Sequence, residues 1–247
     1  MTKRIALGAM NNEKNENTLI QLQKLLLDKN TPFVSYRLPG EEEIITQIQY
    51  KSLPVEIDFT AFDYSQSGFI LSPFSVSDNS KSWFLKPDVV IKDNSIPENL
   101  AAEITDNSEF ISKNTANLNL QTTSENEFCN YVNAAIEDIK AGKFRKVVLS
   151  KVRKQENPTD FSAAAFFHTL CKKYPHAMVY LLQMPGAGCW MGATPEPLIQ
   201  INGGQLRTIS LAGTQIATDK AVEAYTWSQK EIEEQGIVTD YIEKSLR

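Results

Sequence analysis

Asn202-Gly203-Gly204 lies between two short apolar runs, Pro197–Ile201 and Leu206–Leu211. A turn of that length joins antiparallel neighbours, because parallel strands need a crossover of a dozen residues or more. Other strand-length runs recur along the chain. PFVSYRL ends at Pro39-Gly40, Ile44–Tyr50 alternates, and Phe69–Phe74, Ser82–Leu85, Lys146–Arg153 and Ala177–Met184 follow. These runs outnumber the helical segments and are bounded by turn residues, so the pattern predicts an α+β fold built on antiparallel sheet.

The helices carry their own punctuation. Asn17–Asp28 carries Leu19, Ile20, Leu22 and Leu25–Leu27, which reads as a short amphipathic helix. Ser124 with Glu127 forms a capping box, and Phe128, Tyr131, Val132, Ala135, Ile136 and Ile139 make one stripe before Gly142 closes the helix. A further helix is predicted over Ser162–Lys173 with Asp160 as its cap, and a last one from Ser228 to Leu246 with Glu231 in its first turn. Asp93–Thr123 is polar and irregular, which predicts loops and short helices at a boundary. Residues 1–110 are expected to form an N-terminal subdomain and 111–247 a second domain.

Composition narrows the class of function. In 247 residues, 25 basic side chains face 30 acidic ones, a net charge of −5 with no basic block. Binding to a phosphate backbone therefore has no electrostatic basis, and no nucleic-acid partner is expected. The N-terminus turns polar within a few residues and lacks a signal-peptide core, and no apolar run approaches the roughly 20 residues of a membrane span. A cytoplasmic protein with no membrane partner is expected, as a monomer. Cys129, Cys171 and Cys189 are few and far apart, which suggests small buried hydrophobes rather than disulfides or a zinc site.

Four segments hold candidate chemistry. Lys146 opens KVVLSK, where alternation sets it on one face with Val148, Ser150 and Val152. It is either the exposed start of a strand or a lysine desolvated until it can accept a proton. Glu196 is held between prolines in GATPEP, residues 192–197, as a turn glutamate or as a restrained acid. SLAGT, Ser210–Thr214, is either a plain turn or a small-residue run whose N–H groups face an anion. On the last helix, Glu231 and Glu234 share a face with Trp227, Val238 and Tyr241, while Glu233 points away. Two carboxylates on an apolar-looking stripe need partners or a cation, although Glu231 also serves a cap.

Taken in order, KVVLSK, GATPEP, TISLAGT and QKEIEEQGIVTDY resemble the motifs of the chorismate-utilising enzymes, which include isochorismate, salicylate, anthranilate and aminodeoxychorismate synthases. The resemblance runs from about Ser124 to Arg247; residues 1–110 are similar to the family's variable N-terminal part. It implies large, mostly antiparallel sheets packed together with helices outside, Mg²⁺ as cofactor and chorismate as substrate. Lys146 matches the lysine of the members that add water, and Val238–Glu243 departs from the VDLxRND stretch of those that add ammonia. Both point to isochorismate synthase, with salicylate synthase or a non-catalytic binding domain as alternatives. Isochorismate starts both menaquinone and siderophore synthesis.

By the same resemblance Lys146 is the general base for water attack at C2, and Glu196 is the general acid at the departing C4 hydroxyl. Ala212, Gly213 and Thr214 contact substrate, and Glu231 and Glu234 hold Mg²⁺. Gln235 stands where some relatives have histidine. The family continues beyond the position of Arg247 with further magnesium carboxylates and with Arg and Lys groups for the substrate's carboxylates. The resemblance therefore implies an incomplete fold and site in this chain.

Overall fold

The computed structural model describes residues 17–58, 61–74, 81–92, 95–111, 121–216, 218 and 224–247. The chain divides into two units, one of residues 1–119 and 157–195, the other of 120–156 and 196–247. This differs from the expected single cut near residue 110. The reason is strand pairing between distant parts of the chain.

In the first unit a helix over residues 17–28, α1, leads into β1 (Phe33–Arg37) and β2 (Ile44–Ile48). β3 (Val55–Ile57), β4 (Phe69–Leu71), β5 (Ser82–Leu85) and β6 (Val89–Ile91) follow, then α2 (Leu100–Ile111). After the excursion into the second unit the chain returns with α4 (Ala163–Lys173), β7 (Met178–Met184) and β8 (Gly188–Thr194). The main sheet runs β6-β2-β1-β7-β8, and β3-β5-β4 form a smaller one. Every pairing among the described residues is antiparallel. β1 pairs with β7 from Phe33↔Gln183 to Arg37↔Val179, so residues 157–195 belong with the N-terminal part.

Burial explains the order. β1 and β7 are covered on both faces. Phe33, Val179 and Leu181 pack with Leu19, Leu22 and Leu26 of α1, Leu100 and Ile104 of α2 and Phe167 of α4. Val34, Leu182 and Met184 turn the other way, onto Leu85 of the smaller sheet. Alternation along two-sided apolar strands thus builds two cores from one sheet. Two buried polar networks tie the elements together. Gln23 donates to Ser35, which shares a hydrogen with Thr46, and the Gln23 carbonyl meets His168 Nε2 at 3.1 Å. Arg37, 4% exposed, donates to the carbonyls of Leu38, Glu41, Tyr174, Pro175 and Ala177 and fastens the turn before β7.

The second unit holds α3 (Glu125–Lys140), the hairpin of β9 (Gln200–Asn202) and β10 (Gln205–Arg207), and α5 (Gln229–Ser245). The capping box at Ser124 forms, and Gly203 and Gly204 take positive φ (56° and 78°), which a two-residue hairpin loop of this kind needs. Lys146–Arg153, expected as a strand, carries no regular structure and joins no ladder among the described residues. Its alternation favours an extended chain, but a strand also needs a partner's N–H and C=O groups. What the segment does have is a backbone hydrogen bond from the Thr123 N–H to the Val152 carbonyl at 3.2 Å, together with side-chain contacts of Lys146 and Lys151.

No described residue of this unit is buried. The stripe on α3 is open, with Tyr131, Ile136 and Ile139 exposed. Two smaller expectations also need correction. Ser162, not Asp160, caps α4, because its hydroxyl accepts the Ala165 N–H. Cys129 and Cys189 are exposed rather than buried, and Cys171 is half-buried. No helix of the described residues is long and apolar enough to cross a membrane.

Candidate active site

The second unit brings three of the four motif segments together. Ser228 sets the start of α5 by accepting the Glu231 N–H, and from there helical spacing carries Glu231, Glu234 and Gln235 along the helix. Lys146 Nζ lies 3.2 Å from Glu234 Oε1, so the start of KVVLSK is tied to α5 by an ion pair. Both side chains are sheltered, at 22% and 27% exposure. Lys146 is therefore neither a freely exposed strand start nor a fully desolvated amine. It is a half-sheltered lysine facing a carboxylate.

Glu234 is shared. Lys230 Nζ takes its other oxygen, Oε2, at 2.9 Å and also lies 3.4 Å from Glu231 Oε1. The Lys230 hydrogen bond, followed by that of Lys146, holds the Glu234 carboxyl below the usual carboxylate range. The same contacts, Glu234 first and Glu231 after it, hold the Lys230 ammonium above its ordinary value. Glu233 points elsewhere, as its spacing requires, and accepts from Gln229 at 3.0 Å.

SLAGT is fastened to the same helix. Gln235 accepts the Ala212 N–H at 3.0 Å and donates through Nε2 to the Ser210 carbonyl and hydroxyl at 2.9 and 2.8 Å. The Ser210 hydroxyl lies 2.9 Å from Thr239 Oγ1, one turn further on. Gly213 packs so closely on α5 that a Cβ there would lie 2.9 Å from the Glu231 carbonyl oxygen, nearer than real contacts allow. A glycine is needed because backbone meets backbone. The Ala212 N–H is thus already used within the protein, and Gly213 and Thr214 are the remaining candidates to face a ligand.

Glu196 is placed differently. It is exposed, in the segment leading from β8 to β9, and it is engaged in an interaction of its own. Nearby, the Thr208 hydroxyl donates to the Leu198 carbonyl at 2.7 Å and closes the base of the hairpin.

Sequence reasoning gave no role to two residues of this cluster, Lys230 and Gln235. Lys230 was visible as the i, i+4 partner of Glu234, a pairing any helix supports. Gln235 had no comparable signal, since its partners lie about 23 to 25 residues away in a loop. Among the described residues no group of three or more His, Cys, Asp and Glu side chains gathers as a metal-ligand set. Glu231 and Glu234 do converge on one cationic centre, the Lys230 ammonium, and two carboxylates are the donor type a hard divalent cation takes.

The family model described as chorismate binding enzyme matches residues 47–247, which include every candidate residue named above. No curated protein and no solved structure matches the chain.

Proposed function

The chain belongs to the chorismate-binding enzyme family, and on that premise we propose that it is an isochorismate synthase, adding water at C2 of chorismate with loss of the C4 hydroxyl. The observation that carries the reading is the 3.2 Å pair between Lys146 and Glu234. It sets a lysine, the residue type suited to activating water, beside the carboxylate pair suited to a cation.

In this reading Lys146 is the general base. To take a proton from water it must first give up its own, and with it the ion pair to Glu234. Glu196 is the general acid that delivers a proton to the departing C4 oxygen. One proton is taken and one is given, so the reaction is an isomerisation overall. Ala212, Gly213 and Thr214 form the substrate-facing segment, with the Gly213 N–H and the Thr214 hydroxyl as donors and Gln235 holding the loop in place. Glu231 and Glu234 would hold Mg²⁺. When bound, the ion would neutralise a substrate carboxylate and strengthen its attachment.

The test is incubation of the protein with chorismate and Mg²⁺, followed by chromatographic separation of products. Isochorismate is expected. Salicylate with pyruvate would reassign the chain to salicylate synthase, and formation of neither would overturn the proposal. Lys146→Ala is expected to lower isochorismate formation by about a hundredfold or more, the usual range for loss of a general base, with an unchanged far-UV circular dichroism spectrum. Unaltered turnover in that variant removes Lys146 from the mechanism.

A further inference from the structure

Lys230 has no part in the proton transfers, yet its ammonium occupies the centre of the carboxylate pair. Its Nζ is 2.9 Å from Glu234 Oε2 and 3.4 Å from Glu231 Oε1. The three side chains differ in exposure. Lys230 is 74% exposed, whereas Glu231 and Glu234 are 16% and 27% exposed. The carboxylates are therefore set into the surface, and the lysine folds onto them from solvent.

We propose that Lys230 is a tethered competitor for the cation position: it bridges Glu231 and Glu234 when no divalent ion is bound and must swing out before one binds, so that this residue sets the affinity for the metal. The inference rests on the reading of Glu231 and Glu234 as the cation site. The physical grounds are three. The two carboxylates at i and i+3 repel each other unless a positive group lies between them. A single ammonium does this weakly, because exposed ion pairs are screened and the four-carbon stem is flexible. A divalent ion with oxygen ligands does it better and leaves the lysine free to return to water.

Isothermal titration of MgCl₂ into the full chain tests this with four proteins: wild type, Lys230→Met, Lys244→Met and Glu234→Gln. Lys244 lies in the last turn of the same helix and controls for a general change of charge. Lys230→Met is expected to bind Mg²⁺ about fivefold more tightly than wild type, the scale that loss of two exposed ion pairs supports. Lys244→Met should match wild type, and Glu234→Gln should lose binding. In parallel, the Cε resonance of Lys230, assigned by its absence from the Met variant, should move to the position of a solvated lysine as Mg²⁺ saturates the wild type.

Equal affinities in wild type and Lys230→Met would overturn the proposal. So would an equal gain in the Lys244 control, or a Lys230 resonance that does not move at saturation. Failure of the underlying reading looks different. In that case Mg²⁺ binds none of the four proteins, or binds Glu234→Gln as well as wild type, and the cation site and the competitor fall together.

Discussion

Tyr50 donates its hydroxyl hydrogen to Glu103 Oε2 at 2.5 Å, while its backbone N–H donates to Asp88 Oδ2 at 2.7 Å. The hydrogen bond to Glu103, then burial, then the charges of Glu103 and Asp88 push the Tyr50 hydroxyl up to about 12. The folded state thus holds this proton more tightly than the unfolded chain, where a tyrosine titrates near 10. The associated stability is complete below about pH 10 and is lost as pH rises towards 12. Tyr50→Phe is expected to cost about 1–2 kcal/mol at neutral pH and to flatten that alkaline loss. Urea melts of both proteins at pH 7 and across pH 9–12 check it, and parallel curves for the two would contradict it. None of this was readable from residue types, because Tyr50 and Glu103 are 53 positions apart. By contrast, Lys146 and Glu234 stood out in the sequence, though as members of separate motifs. Their contact is a tertiary fact.

At the scale of the element, local punctuation was legible at both ends of α3 and at the start of α5, where neighbouring residues decide the helix end, whereas at α4 it pointed to Asp160 in place of Ser162. α3 ends in a Schellman arrangement: the Gly142 N–H donates to the Ile139 carbonyl at 2.9 Å and the Lys143 N–H to the Asp138 carbonyl at 3.0 Å. Gly142 has φ 75°, and a Cβ there would meet nothing within 4 Å. Gly142→Ala is therefore expected to destabilise through backbone conformation alone, by about 1 kcal/mol. Gly142→Asn should cost less, since asparagine tolerates the left-handed region. Thermal melts of the two variants check the order, and an alanine variant as stable as wild type would refute the account. Lys146–Arg153 shows the opposite case. Its pattern is strand-like, but whether a strand forms is decided by the partner it finds. The same limit applies to the apolar stripe of α3, which periodicity marks correctly while leaving open what covers it.

Across the whole molecule the two units differ in how they are held. The first has two cores on either side of β1 and β7, and the second has no buried residue among those described. Apolar burial is the main stabilising term, so local opening should be easiest where it is lacking. Native-state hydrogen exchange is expected to leave the amides of β1 and β7 slowest, with those of α3 and α5 exchanging about a hundredfold faster or more. Uniform protection over both units would show that burial does not govern opening here.

The sequence by itself marked most strands and helices but not β3, β6 or α2, and it marked the capped starts of α3 and α5, the two-glycine hairpin and the family, because each of these is written in adjacent residues or in motifs of fixed order. It also marked Lys146, Glu196, Glu231, Glu234 and the segment 212–214 as the residues to watch. Tertiary structure alone decided that residues 157–195 complete the sheet begun at residue 33, since alternation says which face a side chain takes but not which strand lies beside it. It alone placed Lys146 on Glu234, and Gln235 under the Ala212 N–H. Those contacts depend on where a loop returns in space, and no local spacing encodes that.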